Sequence, residues 1–408
     1  MALWQGCEPA EPTGCRCYSA GEQAVREAEL ARLIGAIQAE LARLPRTRAD
    51  RDGARERITA AFVRFGRSAL DFEDRHLELL LGNGFSAIAT NLARRARRFD
   101  PHVSMADILQ ASRNAWTACG LQVLAAREMQ LSPSIFAYSM LYPYSDNYVD
   151  DVNVPAAAKL RFSDWFRRRL TGETPPATSA TEEAISGLVA VIEEEFSRDR
   201  FPAVFGSLLA IHRAQERSIR LLVRDDEVDV LELSFDKGGS SVLADAWLAA
   251  GAPGDELQAF AFEWGVLLQL GDDLQDVAED RARGPRTVFT ESEVLDGVTA
   301  RTLAFGEKVL ARLACLGSAE TATLKELIRR SSRSLLIRAA GQASELYSSG
   351  FLERLEPFSP FRFSFLNDCR RRLGRQSGAL ARLFEAFLAG DDDEPAFPLL
   401  PASLMQHL

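Results

Sequence analysis

Histidine is scarce: His76, His102, His212 and His407 are the only four in 408 residues. None pairs with another at the spacing of zinc or di-iron sites, which speaks against both. Cysteine is nearly as rare. Cys7, Cys15 and Cys17 crowd the N-terminus, while Cys119, Cys315 and Cys369 are scattered. The Cys15/Cys17 pair lacks a second pair or nearby histidines, so free thiols on a solvated tail are the favoured reading over zinc, and the scattered three read as small core hydrophobes. Such usage fits a reducing compartment, and a cytoplasmic location is expected. There is no basic excess. The net charge is −10 and the pI about 5.2, a poor match to the phosphate backbone, so nucleic acid is not an expected partner. No run of about 18 apolar residues occurs, and the opening MALWQGCEPAEP has no basic region followed by an apolar one. Neither a membrane span nor a signal peptide is expected.

Strand signals are also sparse. Leu231, Leu233 and Phe235 alternate with Glu232 and Ser234, but one such run does not make a sheet. Helical periodicity dominates instead. Ala24, Ala28, Leu30, Leu33, Ile34, Ile37 and Leu41 form an apolar stripe that Pro45 ends. Further helices are expected near 53–69, 71–98 and 104–129, then from Pro133 with Ser132 as its cap. Others are expected over 182–196, 203–224, 239–250, 254–280, 291–315, 318–347 and 362–389. The expected fold is all-α: one large helical bundle over 21–390, between a poorly ordered tail at 1–20 and another at 391–408. With 47% hydrophobic residues, a large core is available.

Chemistry concentrates in two acidic segments. In YSMLYPYSDNYVDDVN, Asp146 and Asp150 are four apart and stack on one helix face, with Asp151 beside them. Like charges at that spacing repel unless a cation intervenes, and Mg2+ prefers carboxylate oxygens. A solvated helix end is the competing reading. The aromatic approach through Phe136, Tyr138, Met140, Leu141, Tyr142 and Tyr144 gives the look of a pocket wall with a charged mouth. In LLQLGDDLQDVAED, Asp272, Asp276 and Asp280 fall at i, i+4 and i+8, flanked by Asp273 and Glu279. Here the alternative is a solvated acidic face paired with Arg281, Arg283 and Arg286. Neither segment spells a calcium loop.

Two basic features accompany them. Arg213, Arg217, Arg220 and Arg224 form one helical stripe, either solvated or able to hold diphosphate oxygens. Lys237 precedes Gly238, Gly239 and Ser240, read as the opening of a helix whose free amides an anion could approach.

Together these residues resemble the class I isoprenoid synthases, in particular the trans-prenyl diphosphate synthases and the squalene/phytoene synthases. SDNYVDD is similar to the first Asp-Asp-x-x-Asp motif, with Asn147 in place of its second aspartate. LGDDLQDV is similar to the second, through Asp272, Asp273 and Asp276. Lys237 stands where the family has its Lys-Thr pair. Asp146/Asp150 and Asp276/Asp280 also fit the Asp-x-x-x-Asp spelling of the squalene/phytoene branch. The resemblance covers roughly 130–290. It implies three Mg2+ ions, with Mn2+ as an alternative, held by Asp146, Asp150, Asp151, Asp272, Asp273, Asp276 and Asp280. It further implies an allylic prenyl diphosphate as substrate, Lys237 and the arginine stripe as its anion partners, Leu141 and Tyr142 as chain-length determinants, and a central apolar cavity; a homodimer is expected by analogy. The Gly-Lys-x-x-Arg-Pro and Arg-Arg-Gly motifs of chain-elongating members are missing. That favours a terpene synthase using one prenyl diphosphate. A prenyltransferase condensing two, and a non-catalytic helical regulatory subunit, are the alternatives.

Overall fold

A computed structural model describes residues 1–12, 14–82, 84–151, 153–222, 229–374, 377–390 and 393–397, without the side chains of 220–222, 373–374 and 377. The described residues are helical, with no strand. In chain order the helices are α1 (Ala2–Gln5), α2 (Ala20–Leu41), α3 (Arg48–Ala69), α4 (Asp74–Leu81), α5 (Phe85–Phe99) and α6 (Met105–Leu124). There follow α7 (Pro133–Asp150), α8 (Ala156–Leu170), α9 (Ala180–Glu195), α10 (Pro202–Leu222), α11 (Val230–Ala250) and α12 (Asp255–Gln275). The last six are α13 (Val277–Arg283), α14 (Asp296–Ala311), α15 (Ala322–Gln342), α16 (Ser349–Leu355), α17 (Phe363–Gly374) and α18 (Ser377–Leu388). No helix among the described residues is long and apolar enough to cross a membrane.

Where the sequence suggests one large domain, the chain divides into two compact units. One comprises Met1–Glu11 and Asn114–Ala322, the other Pro12–Arg113 and Thr323–Leu408. The first holds both acidic segments and Lys237. Its middle is α11, buried on most sides by α10, α12 and α7, with α9 along the outside of α7. A helix apolar nearly all round is a core helix. The second unit is centred on α2 and α3, whose Leu30, Leu33, Phe62 and Phe65 bury against Phe361 and Leu366.

Several boundaries differ from expectation for local reasons. The N-terminal segment is not a loose tail: Trp4 is buried, and its indole Nε1 donates to Thr302 Oγ1 of α14 at 3.3 Å. The helix expected over 71–98 breaks into α4 and α5 around Gly82 and Gly84, where a Cβ on Gly84 would lie 2.1 Å from the Leu79 carbonyl oxygen. The alternating run 229–235 is helical because Asp229 caps it, its carboxylate accepting from the amides of Leu231 and Glu232 at 2.9 and 3.0 Å. α8 falls where no helix is expected, and the helix expected over 254–280 is interrupted at Asp276.

Candidate acidic site on α7, α11 and α12

Helix α7 begins as its sequence suggests. Ser132 Oγ accepts from the Ile135 amide at 3.2 Å and Pro133 takes the first turn. The helix continues through Pro143 and ends at Asp150, with Asp151 as its C-cap. Helix α12 ends at Gln275, so Asp272 and Asp273 occupy its last turn and Asp276 caps it. Both acid clusters therefore sit at helix C-termini. Unsatisfied carbonyls and the negative end of the helix dipole already disfavour anions there. Neither last turn carries a basic residue.

Lys237 of α11 lies within electrostatic reach of both clusters. Its ammonium lies in the field of Asp146 and Asp150 from α7 and of Asp273 and Asp272 from α12; Asp146 above all, with the other three, holds its pKa above the ordinary value against the opposing effect of burial. Asp146 is buried, and burial pushes its pKa up despite Lys237 and a hydrogen bond from Tyr142 one turn earlier; Asp150 adds to the rise. One of its oxygens, Oδ2, is buried with no hydrogen-bond partner among the described residues. Asp273 is also buried and raised by burial, while Gln269 Nε2 and Ser234 Oγ donate to it at 2.7 and 2.8 Å. Asp150, Asp151, Asp272 and Asp276 are exposed. Asp280, beyond the break at Asp276, is pushed up to about 7 by burial and by the charges of Asp273, Asp276 and Glu279, with Arg283 opposing. Among the described residues, no three His, Cys, Asp or Glu side chains converge as a ready metal-holding set.

Lys237, Gly238 and Gly239 do not open a helix; they lie in the interior of α11, where the backbone amides are committed to helical bonds, so the expected anion site on free amides is absent. The glycines serve packing instead. A Cβ on Gly238 would meet the Gly265 carbonyl oxygen at 2.5 Å, and one on Gly239 would enter the Phe262 ring at 2.5 Å.

The arginine stripe separates into different environments. Arg217 pairs with Asp236 and, at 3.3 Å, with Glu232, both on α11. Arg213 is exposed on α10. The side chain of Arg220 and all of Arg224 lie outside the described residues. Of the arginines set against the second acidic segment, Arg283 pairs with Glu279 and Arg286 with Glu291, both at 2.6 Å, and Arg281 donates to the carbonyls of Phe289 and Ser292. Leu141 is buried, whereas Tyr142 is partly exposed and engaged with Asp146.

The residues that hold the acids in place leave little trace in the sequence. Gln269 sits one helical turn before Asp273, a spacing visible in the sequence; Ser234 carries no such signal. A second buried polar group lies further along α11. Asp245 is fully buried, Asn114 Nδ2 donates to its Oδ1 at 3.0 Å and to Ser139 Oγ at 3.3 Å, and its Oδ2 has no partner among the described residues. Burial raises its pKa well above the ordinary value. A lone aspartate in the apolar run VLADAWLAA is the sequence signal that marks it. In comparisons with known proteins, the chain matches no protein-family model and no curated protein.

Proposed function

We propose that the chain is an enzyme of the class I isoprenoid synthase type, ionising an allylic prenyl diphosphate and steering the resulting cation to cyclisation or rearrangement. One observation carries the reading: Lys237 lies in the joint field of Asp146, Asp150, Asp272 and Asp273, drawn from two acidic segments far apart in sequence. Among the described residues, four carboxylates on two helix C-termini stand against the single ammonium of Lys237, an anionic mouth. Such a mouth gains from divalent cations. The donor set suits Mg2+, being all carboxylate oxygen, and the buried, unpartnered Asp146 Oδ2 supplies an acceptor in want of a cation or donor.

On this reading Asp146, Asp150 and Asp151, with Asp272, Asp273, Asp276 and Asp280, would hold Mg2+. Bound Mg2+ supplies charge neutralisation that makes diphosphate a leaving group. Lys237 donates to a diphosphate oxygen and stabilises the charge that develops there. Tyr142 orients Asp146, while Gln269 and Ser234 orient Asp273. The apolar residues leading to Asp146, including Phe136, Tyr138, Met140 and Leu141, are buried and suited to wall a dry cavity for the prenyl chain.

The test is incubation with C10 to C20 allylic diphosphates, with and without Mg2+ and with and without isopentenyl diphosphate, followed by assay of free diphosphate and mass spectrometry of products. Mg2+-dependent release from one substrate alone supports the reading. Products that form only when two diphosphates are present move it to a condensing prenyltransferase. No release from any substrate overturns it.

A further inference from the structure

In the second unit, residues 393–397, beyond α18, join no helix, yet they are held by a dense set of side-chain contacts. Glu394 is its anchor. Its side chain is fully buried and takes two parallel bonds from Arg51 of α3, Nε at 2.8 Å and Nη2, with Arg55 Nη2 at 3.6 Å. Paired N–H donors from one guanidinium give geometric selectivity for a carboxylate. Three residues on, Phe397 stacks on Phe387 of α18 at 3.8 Å between ring centres and meets Phe384 edge-on at 5.4 Å.

Main-chain contacts complete the seat, and they come from side chains rather than from another backbone. Arg94 Nη2 donates to the Glu394 carbonyl at 3.2 Å. Thr90 Oγ1 accepts from the Phe397 amide at 3.2 Å, while its own proton goes to the Ser86 carbonyl one turn back at 2.9 Å, with the Phe397 carbonyl further off at 3.3 Å. Pro395 fixes the backbone between the two anchors. Arg55, Thr90, Arg94, Phe384 and Phe387 line the seat, and with the segment in place Pro395 and Phe397 fill it down to a void of about 10 Å³. Arg55 Nε is buried there without a hydrogen-bond partner among the described residues, so the groove offers more donor capacity than Glu394 uses. Gly390 lies close against the anchor, where a Cβ would lie 2.6 Å from Glu394 Oε2.

A carboxylate in an arginine fork, an aromatic ring in an aromatic slot and a proline between them make up a short-peptide recognition mode. We propose that this groove is a recognition site for a Glu-Pro-x-Phe peptide and that the chain's own Glu394–Phe397 is its resident, detachable ligand. An incoming segment of the same chemistry then competes with the resident one, and the segment opens locally while α3 and α5 stay folded.

The test uses the full chain. A fluorescent peptide of residues 389–397 is titrated against wild type and against the Glu394→Ala/Phe397→Ala variant. The variant binds it, and wild type binds at least about tenfold more weakly because its own segment competes. Adding Arg51→Ala to the variant, or carrying the two alanines in the peptide, removes binding. A variant that is folded and binds nothing, equal binding by wild type, or a variant that fails to fold each makes the segment an integral part of the unit and overturns the proposal. Hydrogen exchange on wild type gives an independent readout. The Phe397 amide exchanges at least about 100-fold faster than core amides of α3; equal rates overturn detachability. A wild-type dimer that the peptide dissociates would place a second copy's segment in the groove and overturn the assignment to the chain's own.

Discussion

Gly238 and Gly265 bring the backbones of α11 and α12 into direct contact: a Cβ on Gly265 would lie 2.2 Å from the Gly238 carbonyl oxygen, and one on Gly238 would lie 2.5 Å from that of Gly265. The neighbouring residue on α11 is Lys237, and one to two turns along α12 stand Gln269, Asp272 and Asp273. The closeness of the two helices is what carries an ammonium on one into the field of carboxylates on the other.

Gly265→Ala therefore forces the helices apart. The colliding atom is a backbone carbonyl, which cannot rotate away as a side chain can. The expected loss is about 2–4 kcal/mol of unfolding free energy, read from urea denaturation. A loss below about 0.5 kcal/mol, the range of neutral surface changes, would show that the contact is slack.

Lys237→Met removes a positive charge common to the two acid clusters while keeping the length of the stem. Lys237 is half-buried, so the expected destabilisation is about 1–3 kcal/mol, short of the full cost of a buried unpaired charge. Millimolar Mg2+ restores part of it in thermal melts if the carboxylates bind the ion. Diphosphate release falls about 10²-fold or more, the scale of losing one donor at a developing oxyanion. Wild-type release by this variant would remove Lys237 from the site.

The pH dependence of stability tests Asp245. Its pKa is raised in the folded protein, so above the unfolded value of about 4 the native state keeps a proton that the unfolded chain has lost. Stability then falls as pH rises through that window, by up to about 1.4 kcal/mol per pH unit. Asp245→Asn retains an acceptor for Asn114 and cannot ionise. The variant should match wild type within about 1 kcal/mol near pH 4 and exceed it increasingly by pH 8. Parallel urea curves at the two pH values decide this; a constant difference would mean that Asp245 is ionised in the fold.

Arg217→Ala separates a structural from a substrate role within the arginine stripe. Its guanidinium is about one-third exposed and paired with Asp236 and Glu232. Removing it should cost no more than about 1 kcal/mol and leave diphosphate release within about threefold of wild type. A hundredfold loss of release with unchanged stability would return Arg217 to the substrate contacts.

Much of the helical pattern was legible in the sequence because apolar spacing and caps act locally. The stripe from Ala24 to Leu41 and the Ser132–Pro133 start both appear where expected. What local signals miss is tertiary. Lys237 and its glycines look like a loop entering a helix, because glycine is a poor helix former; only the approach of α12 explains two glycines inside α11. The break at Asp276 is likewise invisible in an i, i+4, i+8 pattern. Both acidic segments and Lys237 stand out by spelling. The fate of the arginine stripe does not, since its spacing is the same whether Arg217 meets solvent, a ligand or the acids of α11.

Helix α7 contains Pro143 three residues before Asp146. Proline has no amide hydrogen, so the Ser139 carbonyl is left without its usual partner in the fourth residue on. A rung is thus missing from the ladder just upstream of the acids. Bending stiffness is lowest at such a place, so loading the acids with ligand would be felt first as a change of curvature around 139–143, ahead of any movement in α11, whose glycines lock it against its neighbour.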